Sequence, residues 1–366
     1  MLGTLERLAA VLSIAAAGIA GAALAVAPVR ATIDRAAQTD SGPPFPAPGR
    51  LIDVGGWKMH IYCTGVAKDG APTVILEAGA GDFSVEWSLV QPAVSKFARV
   101  CSYDRSDDGW SDWGPHPRTL HQDVYELHTL LEKAGERAPF VLVGHSYGGW
   151  VVRLFASTHR EDIAGLVFIE GGLDNPVRQL PNGKLLHNSD LVTGRPIPPV
   201  KTSNPLKISD IPPGAYAQMV EATVQMKEHA NEPPRDKLPP AAQRMRAWAT
   251  AQVKHYGIAD NPFEADELAG LAAERAKTPY LFGDLPLVVI ERGIAEDMGP
   301  DNNAATEEER HRDFAALAAM SHNGTLIIAE KSGHHVHLEQ PQLVIAAIHG
   351  VVDAAHRLAN PSAARR

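Results

Sequence analysis

The sequence predicts an α/β protein: a mostly parallel, eight-stranded sheet flanked by helices and interrupted by an inserted, largely helical cap. Three observations carry this expectation. Short apolar runs alternate with helical patterns along most of the chain, which calls for parallel strands joined by crossover helices. The alternation breaks after Glu170 and resumes at Leu285, with a proline-rich and then helical stretch between. One apolar run, Phe140-Val141-Leu142-Val143, leads directly into Gly144-His145-Ser146-Tyr147-Gly148-Gly149, a strand–turn–helix pattern that holds a serine on a strained elbow.

Taken in order, Leu8 to Val29 is a run of 22 residues without a charge, bounded by Arg7 and Arg30. As a helix it spans roughly 33 Å, enough to cross a bilayer. We expect residues 1–30 to be a membrane anchor or a signal segment cleaved near Ala25-Val26-Ala27, and the protein to be exported, membrane-anchored or periplasmic/extracellular. Residues 31–49, with Pro43, Pro44, Pro46 and Pro48, read as an extended linker.

The core follows as 50–171 and 284–358, with the cap at 172–283 and a short tail at 359–366. Leu51–Val54 and Trp57–Cys63 flank a Gly55-Gly56 turn and predict a hairpin. Thr73–Glu77, Arg99–Tyr103, Phe140–Gly144 and Ala164–Ile169 are the next strands, followed beyond the cap by Leu285–Ile290 and Thr325–Ala329. Leu120, Val124, Leu127 and Leu131 recur at helical spacing over Thr119–Lys133. Further helices are expected at Trp150–His159, Ala215–His229, Ala241–His255, Glu307–Met320 and from Gln342. A net charge of −9, with no dense basic tract, argues against a nucleic-acid partner and says little about the substrate.

The chemistry sits at the elbow. Gly144 and Gly148 flank Ser146 where strand and helix backbones approach too closely for a β-carbon, and Gly149 lets the helix pack on the sheet. A serine hydroxyl is a weak nucleophile until a base takes its proton. The loop after the last strand, Ser332-Gly333-His334-His335-Val336-His337, offers His334 as that base, with His335 and His337 as packing or hydrogen-bonding residues. Three clustered histidines also suit a metal, but no cysteine or acidic ligand pattern accompanies them, so neither metal nor cofactor is expected.

These stretches, with Leu76-Glu77-Ala78-Gly79-Ala80-Gly81, Tyr103-Asp104-Arg105, Gly109-Trp110-Ser111-Asp112 and His337-Leu338-Glu339-Gln340-Pro341, resemble the α/β-hydrolase family, particularly its capped serine esterases and proline-iminopeptidase-like members. The resemblance covers residues 50 to about 355 apart from the cap. It implies an oxyanion hole from the backbone N–H groups of Ala80 and Tyr147. In one respect the chain departs from its relatives. They carry small residues and glycine after the Asp-Arg pair, whereas here Ser106-Asp107-Asp108 intervenes, and solvated carboxylates are the favoured reading over a lining of the pocket mouth.

Most relatives place the triad acid after the seventh strand, where Glu296 and Asp297 follow Gly293; others place it at the end of the sixth. There Glu170 lies 24 residues beyond Ser146 and ends an apolar strand, where a carboxylate needs a partner. Glu170 is favoured, Asp297 is next and Glu296 third. In this fold the second and fourth strands are neighbours, which suggests a Cys63–Cys101 disulfide over two buried free thiols, given an oxidising destination.

The expected activity is hydrolysis of a small-molecule ester-type acyl bond through a Ser-His-acid triad and an acyl-enzyme. The alternatives are a proline-iminopeptidase-like aminopeptidase acting on an amide, with Glu221, Glu228 or Glu232 of the cap receiving the substrate amine, and a non-catalytic ligand-binding or perhydrolase member of the fold. Dehalogenase and epoxide hydrolase chemistry is disfavoured, because relatives with those activities carry aspartate where Ser146 stands. Neither oligomeric state nor acyl length is legible.

Overall fold

Unbroken Val/Ile/Leu runs make strands that are buried on both faces, and such runs form the centre of the sheet. The computed structural model describes residues 45–67, 71–179, 184–256, 261–295 and 304–359. The strands are β1 (Arg50–Asp53), β2 (Lys58–Thr64), β3 (Thr73–Glu77), β4 (Val100–Tyr103), β5 (Phe140–His145), β6 (Ile163–Ile169), β7 (Val177–Gln179), β8 (Leu185–His187), β9 (Leu287–Arg292) and β10 (Gly324–Ala329). Eight of them form one sheet in the order β1-β2-β4-β3-β5-β6-β9-β10, antiparallel where β2 meets β1 and β4 and parallel elsewhere.

Helices cover both faces. On one, Leu127, Leu130 and Leu131 of helix Leu120–Ala134 pack with Val151, Val152 and Phe155 of helix Tyr147–Thr158. On the other, Val344, Ile348, Val351 and Val352 of helix Pro341–Ala359 pack on Val141, Val143, Val167 and Ile169. Thr119 caps the first of these helices by accepting from the Gln122 N–H at 3.1 Å, and Gly135 ends it in the left-handed region at φ 77°. Helix Tyr147–Thr158 begins three residues earlier than the spacing suggests. Gly148 and Gly149 look like turn residues in sequence, but the elbow requires both of them inside its first helical turn.

Between β6 and β9 lie the β7–β8 hairpin and helices Pro213–Glu228, Pro240–Ala249, Val253–Tyr256 and Glu264–Lys277. The expected helix over Ala241–His255 is thus broken between Ala249 and Val253. The run Leu8–Val29 and most of the linker fall outside the described residues, among which no helix is long and apolar enough to cross a membrane. The end of the linker is not extended into solvent: Trp110 Nε1 donates to the Phe45 carbonyl at 3.0 Å, and the Phe45 ring meets Trp248 edge-on at 6.3 Å.

Cys63 on β2 stands directly opposite Cys101 on β4, and the two form a disulfide. The bridge closes a separation of 38 residues, for which the chain-entropy model gives about 4 kcal/mol. The double variant Cys63→Ala/Cys101→Ala is expected to lose roughly 3–4 kcal/mol in denaturant unfolding. A loss under about 1 kcal/mol would show that the sheet pairing alone holds β2 on β4.

Candidate active site

The carboxyl ends of β5, β6 and β9 and the loop after β10 meet at one edge of the sheet. Backbone bonds tie these ends together: the Ser146 N–H donates to Ile169 O at 3.0 Å, Glu170 N–H to Ile290 O at 2.9 Å and Gly293 N–H to Ala329 O at 2.9 Å. Ser146 sits at φ 52°, ψ −120°, between strand and helix, a conformation that L residues rarely adopt. The glycines around it are required by contact. A β-carbon on Gly148 would stand 2.6 Å from the Ala78 carbonyl oxygen, and one on Gly144 would stand 2.4 Å from that of Gly148.

Glu170 also has a positive φ, 49°, and is buried. Its carboxylate accepts from the Arg292 backbone N–H at 2.7 Å and from Arg310 Nη1 at 2.8 Å, and His334 Nδ1 lies 3.4 Å from Oε2. Burial alone would raise the pKa of this carboxyl. The His334 hydrogen bond, the Arg310 charge and the Arg292 N–H outweigh burial and hold it below the usual carboxylate value. His334 is positioned from behind, where buried His145 donates through Nε2 to the His334 carbonyl at 3.0 Å. Glu296 and Asp297 lie outside the described residues.

Arg310 was not foreseen as part of this arrangement. Its signal was present: Arg310 is spaced with Phe314 and Leu317 on one side of helix Ala304–Ala318, and a half-buried arginine there calls for an anion.

Ala80 is exposed in the turn after β3, and Tyr147 is the first residue of its helix, so its N–H has no carbonyl within that helix to bond. Arg105 braces both positions. It donates to the Glu77 carboxylate, to Ala78 O at 2.7 Å, to Gly79 O and to Asp82 O at 3.3 Å, and its guanidinium lies 5.2 Å from the Tyr147 ring centroid. The Tyr147 hydroxyl donates to Asp123 at 2.7 Å. From the inserted region, Arg235 and Arg246 reach Asp82 at 3.0 and 2.8 Å, so the loop that carries Ala80 is tied to that region by ion pairs.

The reading of Asp107 and Asp108 as solvated is corrected: both are fully buried. Asp107 accepts from the Gly114 N–H at 2.8 Å and pairs with His116 Nε2 at 3.0 Å, while Asp108 pairs with His255 Nδ1 at 2.8 Å. Partners in the same loop for Asp107, and His255 from the inserted region for Asp108, offset the cost of desolvating them. Glu221, Glu228 and Glu232 are all exposed, and Glu232 pairs locally with His229 at 2.6 Å.

His145, His334, His335 and His337 form a cluster, with the His145 ring 4.8, 5.3 and 4.4 Å from the other three. Burial first, then the neighbouring imidazoles, hold the His145 pKa well below its usual value. Burial and Arg235 bring His335 down to about 3. An unfolded histidine titrates near about 6.5, so acid adds protons to the unfolded chain first and stability falls with pH below that value. For His335 this window runs down to about 3. The melting temperature is therefore expected to drop between pH 7 and 4, with a shallower drop in His335→Gln; parallel slopes would count against this origin.

A model described as the Alpha/beta hydrolase family matches residues 74–347. The AB hydrolase superfamily protein of Gibberella zeae is 25% identical over 306 residues, 77% of this chain and 86% of that protein. The Probable transporter efuK of Hormonema carpetanum is 33% identical over 136 residues, 36% of this chain and only 20% of that relative's length. Among solved structures, a thermophilic esterase from Thermogutta terrifontis (malate bound) aligns with a TM-score of 0.55 at 16% identity, covering 84% of this chain and all of that one (100%), a likeness of fold. With the family model matched over most of its length, and with the sheet order and elbow described above, this chain belongs to the alpha/beta hydrolase family.

Proposed function

We propose that the protein is a serine hydrolase that cleaves a carboxylic ester-type acyl bond through Ser146, His334 and Glu170. The observation that carries the reading is the 3.4 Å approach of His334 Nδ1 to Glu170 at the sheet edge where Ser146 is held on its strained turn. In this reading Ser146 Oγ attacks the ester carbonyl as His334 Nε2 takes its proton, and Glu170 accepts from Nδ1–H and stabilises the imidazolium. The N–H groups of Ala80 and Tyr147 meet the developing oxyanion, each lowering the barrier by about 3 kcal/mol. The alcohol leaves with the proton from His334, and a water activated by the same imidazole then releases the acid from Ser146.

The esterase from Thermogutta terrifontis, alike in fold, supports acyl chemistry. The exposure of Glu221, Glu228 and Glu232 removes the support offered for an aminopeptidase. The apolar run Leu8–Val29 and the Cys63–Cys101 disulfide together support an exported protein.

A fluorophosphonate probe should label Ser146, and p-nitrophenyl esters should turn over faster than aminoacyl p-nitroanilides. Labelling with the opposite preference would favour the peptidase. An unlabelled Ser146 would leave a binding protein.

A further inference from the structure

The Ser106-Asp107-Asp108 insertion has a second end. Asp108 Oδ1 lies 2.8 Å from His255 Nδ1, and the two side chains are 0% and 2% exposed. His255 belongs to the short helix Val253–Tyr256 of the inserted region. The residue before it, Lys254, donates to Gly109 O at 2.9 Å and to Ser111 O, which pins this helix to the loop that carries Asp108. The imidazole therefore has a defined place and orientation.

Because a carboxylate only accepts, Asp108 takes the Nδ1–H of His255 and leaves the lone pair of the neutral ring on Nε2. No described residue hydrogen-bonds that nitrogen. It faces the loop after β3: a β-carbon on Gly81 would stand 3.6 Å from it, and Gly81, at φ 67°, directly follows Ala80. That nitrogen is open to a hydrogen bond from water or a ligand in front of the Gly81 backbone. It lies beside the proposed oxyanion donor.

We infer that His255 is a specificity residue: its Nε2 accepts a hydrogen bond from a hydroxyl on the acyl part of the substrate, so hydroxyacyl esters are preferred over plain acyl esters. The inference rests on the serine-hydrolase reading. A hydroxyl is favoured over an ammonium because the nearby carboxylates already face arginines: Asp82 meets Arg235 and Arg246, Glu86 meets Arg246, and Asp108 lies 3.5 Å from Arg105. A cation there would find no carboxylate without an arginine partner. Gly81 leaves room at this point, since a β-carbon there would have only the His255 ring within 4 Å.

The test compares kcat/KM for p-nitrophenyl 3-hydroxybutyrate and p-nitrophenyl butyrate in the wild type and in His255→Asn. The asparagine amide nitrogen overlies the position of Nδ1, so Asp108 keeps its partner while Nε2 is removed. Fluorophosphonate labelling of Ser146 reports the catalytic machinery separately. The wild type is expected to favour the hydroxy ester by about 10- to 100-fold. In His255→Asn the ratio should collapse towards one, with labelling and butyrate turnover retained. A labelled wild type with no preference, or with no turnover of the hydroxy ester, overturns the inference and leaves the serine reading standing. So does an unchanged ratio in His255→Asn. The wild-type ratio decides alone if the variant does not fold. A wild type that neither labels nor cleaves either ester overturns the serine reading, and this inference with it.

Discussion

Ser146→Ala is expected to fold as the wild type does and to lose ester turnover by about 10⁵- to 10⁶-fold. The size of the loss follows from the proposed chemistry: without Oγ there is no acyl-enzyme, and His334 and Glu170 have nothing to activate. Folding should survive because alanine keeps the β-carbon that the turn already accommodates. The backbone bonds from Ser146 N–H to Ile169 O and from Gly149 N–H to Ser146 O do not involve the hydroxyl. Purified variant and wild type are compared by kcat and by thermal melting. Turnover within tenfold of the wild type would remove Ser146 from the reaction.

Glu170→Gln should lose about 10³- to 10⁴-fold in kcat, because an amide in place of the carboxylate presents a donor to Nδ1 and stabilises the wrong tautomer of His334. Arg310 and the Arg292 N–H make the substitution more demanding, since both already bond this carboxylate and would meet a neutral group instead. Breaking such a buried pair costs about 3–5 kcal/mol, so melting must be followed alongside activity. Asp297→Asn is the comparison, with an expected loss under about tenfold. The opposite ranking transfers the acid role to Asp297. Small equal losses would mean that neither residue orients His334.

What the sequence disclosed depended on how local the physics was. The elbow was legible because its glycines, its serine and the strand before it are neighbours in the chain and each answers to the same tight turn. The pairing of Glu170 was legible because a carboxylate ending Ile163–Ile169 contradicts its apolar surroundings unless it is paired. The fold resemblance supplied the adjacency of the strands that carry Cys63 and Cys101, but their facing depends on register, which only the structure gives. Asp107 and Asp108 were misread because charged runs are ordinarily solvated, and the partner that buries Asp108 stands 147 residues away in a region without recognisable motifs. The β7–β8 hairpin escaped notice because strands of three residues carry almost no periodic signal.

The left-handed backbone at Ser146 also has a bearing on how such a chain drifts. A non-glycine residue held there carries about 1–3 kcal/mol of strain, which the folded protein bears at all times and uses only during turnover. Glycine would relieve it, since φ 52° costs glycine nothing. A population selected only for surviving heat, with no demand for hydrolysis, should therefore accumulate glycine at position 146 as a gain in robustness. Retention of serine there across a lineage would be a record of continued use, written in the thermal stability each generation forgoes.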